Sequence, residues 1–199
     1  MDKKILRREV ELAQISKEDR ILEIGTGSGN LTKEILKKTK NVLSFEIDDS
    51  LRKTLPKEIL NVVVFGDATK SSWKGYNKVV ANIPYYLSEK IVRKTIREGI
   101  EKLVLIVGDN FKRILENKEN EIGYFSNLFF DLKIVEKIPK SSFNPPPRVN
   151  SWLIILDRKN DEEGEPFRRI CSRNRKIKNS ILFELVRLGK TKRGAREII

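Results

Sequence analysis

Short runs of β-forming residues alternate with stretches of helical period along most of the chain. The pattern predicts strands over Arg20–Gly25, Val42–Asp48, Val62–Gly66, Lys78–Ala81, Leu103–Val107, Leu132–Ile138 and Ser151–Asp157. Helices are predicted over Lys4–Ala13, Leu31–Lys38, Ser50–Pro56, Glu89–Gly99 and Phe111–Asn117. Ser88 reads as an N-cap ahead of Glu89, and Gly99 as a C-terminal stop. Leu103–Val107 is apolar at every position, as a strand covered on both faces of a parallel sheet must be. The order predicts a doubly wound α/β domain over residues 1–157. An acidic stretch, 158–166, reads as a linker, and 167–199 as a short basic helical region.

Composition narrows the chemistry. The 199 residues carry 41 Lys+Arg against 28 Asp+Glu, a formal net charge of +13, and no histidine. Histidine triads, histidine-ligated metals and imidazole acid–base steps are therefore excluded. A single cysteine, Cys171, leaves no internal disulfide and no cysteine metal cluster, so no metal is expected. The longest apolar runs, Leu103–Val107 and Trp152–Leu156, are too short to span a membrane. Met1-Asp2-Lys3-Lys4 runs into charge instead of an apolar signal region. The expectation is a cytoplasmic protein, monomeric, with a polyanionic partner. From Arg158 to Ile199 the net charge is +7, so more than half of the basic excess lies in the last fifth of the chain.

Four strand ends supply the candidate chemistry. The first runs into Glu23-Ile24-Gly25-Thr26-Gly27-Ser28-Gly29, where glycines allow a tight strand-to-helix turn and close approach of a ligand to the backbone. The second ends in Phe45-Glu46-Ile47-Asp48; an acid at position 46 can accept two hydrogen bonds from a ribose diol. The third ends in Gly66-Asp67-Ala68, where Asp67 can receive the exocyclic amine of an adenine. Together they describe an adenosine pocket, but nicotinamide dinucleotides and S-adenosyl-L-methionine both use such a glycine loop.

The fourth strand end decides between them. In Ala81-Asn82-Ile83-Pro84-Tyr85-Tyr86, the Asn82 side-chain carbonyl and a backbone carbonyl just before or at Pro84 form a pair of fixed acceptors. Such a pair orients an amino group on a ring and favours charge developing on its nitrogen. A second segment, Ser142-Phe143-Asn144-Pro145-Pro146-Pro147-Arg148-Val149-Asn150-Ser151, is stiffened by three prolines. Tyr85 and Phe143 could sandwich a base drawn out of its stack. A dehydrogenase has no use for the Asn-Ile-Pro-Tyr turn.

With these motifs in this order, the sequence resembles the KsgA family of small-subunit ribosomal RNA adenine dimethyltransferases, whose relatives include the Erm resistance methyltransferases. The resemblance runs from about Leu6 to Leu182 and includes Arg173–Asn179, similar to a basic helix that opens the family's C-terminal domain. It implies a class I S-adenosylmethionine-dependent methyltransferase fold, Rossmann-like, with a seven-stranded, mostly parallel sheet and a short basic helical C-terminal extension. It implies S-adenosyl-L-methionine as cofactor. The partner implied is ribosomal RNA or a small-subunit precursor, methylated on the exocyclic amine of adenine. Glu23, Gly25 and Gly27 would shape the methionine site, Glu46 would hold the ribose, and Asp67 with the Ala68 backbone would read the adenine. Asn82 would serve cofactor and catalysis alike, with Pro84, while Tyr85 and Phe143 would stack on the target base. The sequence departs from the family's usual Gly-Gln-(His/Asn)-Phe-Leu opening, has Gly108-Asp109-Asn110 in place of a Gln-Lys-Glu-like stretch, and has a short C-terminal region. Two other classes fit parts of the pattern: an inactive relative that binds pre-ribosomal RNA as an assembly factor, and a small-molecule methyltransferase.

Overall fold

The computed structural model describes residues 1–159, together with Val186, Thr191 and Arg193. The basic segment 167–199, with Cys171 and Arg173–Asn179, otherwise lies outside the described residues.

Seven strands form one sheet in the order β3-β2-β1-β4-β5-β7-β6. They are β1 (Ile21–Ile24), β2 (Val42–Glu46), β3 (Val63–Phe65), β4 (Lys78–Ala81), β5 (Lys102–Gly108), β6 (Phe130–Ile138) and β7 (Ser151–Arg158). The first five are parallel, and β7 runs antiparallel between β5 and β6. Chain order reverses direction between β1 and β4, which opens a crevice at the carboxyl ends of those strands.

Alternation along the central strands builds two cores. On one face Leu103, Leu105 and Val107 of β5 pack with Leu22, Val79 and Trp73. The helices α4 (Ser88–Glu98), α5 (Asp109–Glu116) and α6 (Glu121–Phe129) cover that side, contributing Ile91, Leu115 and Phe125. On the other face Val104 and Ile106 pack with Leu6 and Val10 of α1 (Lys3–Leu12) and Leu31 and Ile35 of α2 (Asn30–Leu36). Five central β5 residues, Leu103–Val107, are fully buried, as the unbroken apolar run requires.

Three local departures from the expected elements have physical causes. Ser88 is the first residue of α4, not its cap; its hydroxyl is buried without a hydrogen-bond partner. Gly99 does end that helix, in the left-handed conformation with φ +75°. The stretch after β2 is a 3-10 turn over Asp49–Lys53, followed by the short helix α3 (Lys57–Leu60), because Pro56 lacks an N–H and begins a new element. The helix α6 was not expected from a segment containing Gly123. A Cβ there would lie 2.0 Å from the Asn117 carbonyl oxygen, so glycine lets α6 press against the end of α5. Asn120 caps it, accepting from the Gly123 N–H at 2.8 Å.

The sheet runs one residue beyond the expected domain end. Arg158 closes β7, and its Nε donates to the Ile100 carbonyl at 2.7 Å. Among the described residues no helix is long and apolar enough to cross a membrane, and no group of three or more acidic, histidine or cysteine side chains could hold a metal.

Candidate active site

Register places the expected motifs on one edge. Ile24 pairs with Phe45 on one side and Ala81 on the other, and Glu46 with Phe65. The loops that follow β1, β2, β3 and β4 therefore leave the sheet side by side. Gly108 pairs with Ser151 at the end of β5, adding a fifth strand end.

The glycine loop is held from below by Glu46. Gly27, at φ +52°, donates its N–H to Glu46 Oε2 at 2.7 Å, and the Asp48 N–H donates to Oε1 at 2.9 Å. Each carboxylate oxygen keeps a lone pair beyond these bonds. A Cβ on Gly27 would meet nothing within 4 Å, so the loop presents bare backbone to open space. A Cβ added at Gly25 would lie 3.6 Å from the Asn82 carbonyl oxygen, so the loop passes close to the β4 turn. Gly66 donates to the Glu46 carbonyl at 2.7 Å and so sets Asp67 beside the β2 end.

Asp67 is partly committed. Its Oδ1 accepts from the Thr69 N–H at 2.8 Å and the Thr69 hydroxyl at 2.6 Å. The Thr69 bonds hold its carboxyl below the usual carboxylate range. The Ala68 carbonyl accepts from Trp73 Nε1 at 2.9 Å, while its N–H makes no backbone hydrogen bond among the described residues.

Glu23 and Glu9 form a buried acidic pair under the loop. Glu23 accepts from the Thr32 hydroxyl at 2.7 Å through Oε2, while Oε1 has no partner. Burial pushes its carboxyl up to about 7, against the opposing Thr32 hydrogen bond. Glu9, on α1, has both oxygens buried and unpartnered. Burial, reinforced by the charge of Glu23, raises its carboxyl well above the usual range. A folded-state pKa above the unfolded one means the folded protein holds the proton more tightly. Stability is then fully present below about pH 4.5 and falls as pH rises toward about 7 for Glu23. Glu9→Leu is expected to raise stability by about 1–3 kcal/mol at pH 8, and by less at pH 5. Urea melts at the two pH values check this; an equal gain at both would show that the charge plays no part.

The β4 turn separates its two candidate backbone acceptors. The Pro84 carbonyl accepts from the Leu87 N–H at 2.9 Å. The Ile83 carbonyl accepts no backbone hydrogen bond among the described residues. Asn82 is half-buried, its Nδ2 lying 3.6 Å from Met1 Sδ. Tyr85 is also half-buried, its hydroxyl bonded to the buried Ser151 hydroxyl. Phe143 leans on the same core cluster as Tyr85. The Asp2 N–H reaches the carbonyl of its neighbour Ser142 at 2.7 Å, tying the N-terminus to the proline-rich loop.

Comparison with known proteins gives the family. A family model described as ribosomal RNA adenine dimethylase matches residues 1–189. The chain belongs to the ribosomal RNA adenine dimethylase family. Within that adenine dimethylase family, it is 36% identical over 202 residues to the ribosomal RNA small subunit methyltransferase A of Mycoplasmopsis synoviae, covering 89% of this chain and 76% of that one. It is 34% identical over 167 residues to a Pyrococcus abyssi protein named "Probable ribosomal RNA small subunit methyltransferase A", covering 80% of this chain. That match spans 62% of the archaeal relative's own length. Among solved structures, a dimethyladenosine transferase from Plasmodium falciparum is 32% identical with a TM-score of 0.68, over 92% of this chain and 76% of that one. The 23S rRNA methyltransferase ErmE shares the fold, with a TM-score of 0.74 at 24% identity over 98% of this chain and 82% of that one.

In this member of the adenine dimethylase family, the sequence motifs contain edge residues to which they gave no role. Ile47 is 75% exposed between Glu46 and Asp48, and Tyr86 is 82% exposed beside Tyr85. Ile47 continues the apolar–polar alternation of Phe45-Glu46-Ile47-Asp48, so the pattern of residue types does not reveal its exposure. Gly108 and Ser151 also had no role assigned from sequence, and their place at the edge becomes visible only through their pairing.

Proposed function

We propose that this chain transfers methyl groups from S-adenosyl-L-methionine to the exocyclic amine of an adenine in ribosomal RNA, acting on the small subunit or its precursor. The observation that carries the reading is the Asn82–Tyr85 turn standing against the glycine loop, with a carboxamide and an uncommitted Ile83 carbonyl on one edge.

The residues fit the cofactor. Glu46 has lone pairs left for two ribose hydroxyls, and exposed Ile47 offers an apolar face to an adenine ring. Asp67 Oδ2 and the Ala68 N–H are a complementary acceptor and donor for the adenine edge. Gly25 and Gly27 keep the loop backbone bare for the methionine portion, with Glu23 beneath it. S-adenosyl-L-methionine, when bound, supplies an electrophilic sulfonium methyl.

The chain's own groups orient the nucleophile. Asn82 Oδ1 and one backbone carbonyl accept the two N–H bonds of the target amine and favour positive charge on its nitrogen. Pro84 fixes the turn; its own carbonyl is already engaged by Leu87, so Ile83 is the better second acceptor. Tyr85 and Phe143 provide ring faces for the flipped base. No histidine is needed, since the proton can leave to water after transfer. The basic sequence 167–199 would add phosphate contacts to this domain.

Methyl transfer from labelled S-adenosylmethionine into under-methylated small-subunit particles, with the modified base mapped, tests the function. Label on an adenine amine is expected. Binding of cofactor and RNA without transfer would replace the enzyme by an RNA-binding assembly factor. For the cofactor site, Glu46→Ala is expected to weaken S-adenosylmethionine by about 1.5–3 kcal/mol, the range for hydrogen bonds to a charged group. Calorimetric titration reads it, and an unchanged dissociation constant would remove Glu46 from the site.

A further inference from the structure

Away from the β4 turn, a cavity of about 630 Å3 opens between α1, α2 and α3. Lys3 and Arg7 line it from α1, Lys33 from α2, and Lys37 and Lys40 from the turn that follows. Against these five cations stand two carboxylates, Glu34 and Glu58. Glu34 is shared by Lys37 at 2.7 Å and Arg7 at 3.6 Å. Lys3, Lys33 and Lys40 make no ion pair among the described residues. Lys33 is half-buried, while Lys3 and Lys40 are exposed at the rim. By contrast, the more buried Lys78, Lys94 and Lys102 are matched with Asp19, Glu98 and Asp157, all at 2.7–2.9 Å. Leu6, Leu36 and Val62 give the cavity an apolar lining beneath the charges. A concave wall of low polarity focuses the field of the cations above it. Asn30, also in the lining, follows directly on the glycine loop, so the groove adjoins the candidate active site.

We propose that this groove holds the sugar–phosphate backbone of the RNA substrate, as a second docking surface separate from the target-base turn. The proposal rests on the rRNA methyltransferase reading above. Lysine ammonium groups without carboxylate partners suit phosphates, each contact releasing counterions, and the apolar lining suits ribose. An acidic protein segment would satisfy the same charges but would not produce an RNA-dependent effect.

The test is the salt dependence of binding to a small-subunit rRNA transcript in potassium chloride. Lys3→Gln, Lys33→Gln and Lys40→Gln, combined in the full chain, keep a polar side chain with part of the aliphatic stem and remove three charges. If each lysine meets one phosphate, the slope of log K against log salt should shrink by about 2, at roughly 0.7 per single-strand phosphate. A control with the same charge change at exposed Lys17, Lys74 and Lys118 should stay near the wild-type slope. Methyl transfer at saturating RNA should stay within about twofold, because no reacting atom is touched. Slopes equal to wild type in the groove variant, or an equal loss in the control, overturn the groove. If the wild type methylates the transcript while the groove variant is indifferent, only the groove fails. If the wild type binds S-adenosylmethionine but no RNA, the functional reading falls and the groove with it.

Discussion

Asn82→Ala is expected to slow methyl transfer by about 10²–10³-fold, the loss seen when one preorganised electrostatic partner is removed. Affinity for RNA should change little, and any loss of affinity for S-adenosylmethionine should be much smaller than the loss of rate. The carboxamide is held at the end of β4, and its backbone oxygen sits against the glycine loop at the Gly25 position. Truncation to Ala keeps that backbone contact and deletes only the side-chain acceptor. The amine then has the Ile83 carbonyl alone to orient it, and its second N–H turns to solvent. Single-turnover transfer with saturating cofactor and RNA isolates the chemical step from binding. A fall in cofactor affinity equal to the fall in rate would instead make Asn82 a binding residue.

Why the sequence carries so much of this site, and not all of it, follows from what each element depends on. The strand Lys78–Ala81 is as expected to the residue, because its apolar run and the proline turn after it are local signals. The same holds for Glu46 and the glycine loop, whose spacing brings Gly27 N–H onto Glu46 Oε2. Features that depend on tertiary approach were hidden. No helix was expected over Glu121–Phe129, and the place of Gly123 in it is explained only by the Asn117 carbonyl, which lies where a Cβ would be. Glu9 reads as one more charge on a surface helix, yet it is buried with both oxygens unpartnered. Ser88 looks like a cap because its type and position fit one, while its hydroxyl in fact bonds nothing. The choice between the Ile83 and Pro84 carbonyls turned on a single bond from Leu87, which no pattern of residue types reveals. The basic groove is assembled from α1, α2 and the following turn, so its charges are scattered in sequence and joined only by the fold.

The second large effect is expected at Tyr85. Tyr85→Ala should lose a base-stacking contribution on the order of 1–3 kcal/mol, seen as a fall of about 5–150-fold in kcat/KM for RNA. Tyr85→Phe keeps the ring face and should keep most of the activity. It does, however, leave the buried Ser151 hydroxyl without its Tyr85 partner, so a stability loss of about 1 kcal/mol is expected in urea melts. The two readouts therefore separate the ring from the hydroxyl. Gly108→Ala tests the geometry without touching Tyr85 at all. A Cβ at Gly108 would lie 3.0 Å from Tyr85 Cδ2 and 3.3 Å from Val149 Cγ2. With its hydroxyl end tied to Ser151, the ring can relieve the contact only by tilting, and a flipped base stacked on it tilts as well. The variant should lose about tenfold in rate while binding S-adenosylmethionine normally, since misplacement of a bound group by ångström-scale distances costs up to about 10²-fold. If Tyr85→Phe is as slow as Tyr85→Ala, the hydroxyl acts in the reaction and stacking is not the residue's main task. If Gly108→Ala is as fast as wild type, the Tyr85 ring does not meet the base from the position the structure gives it.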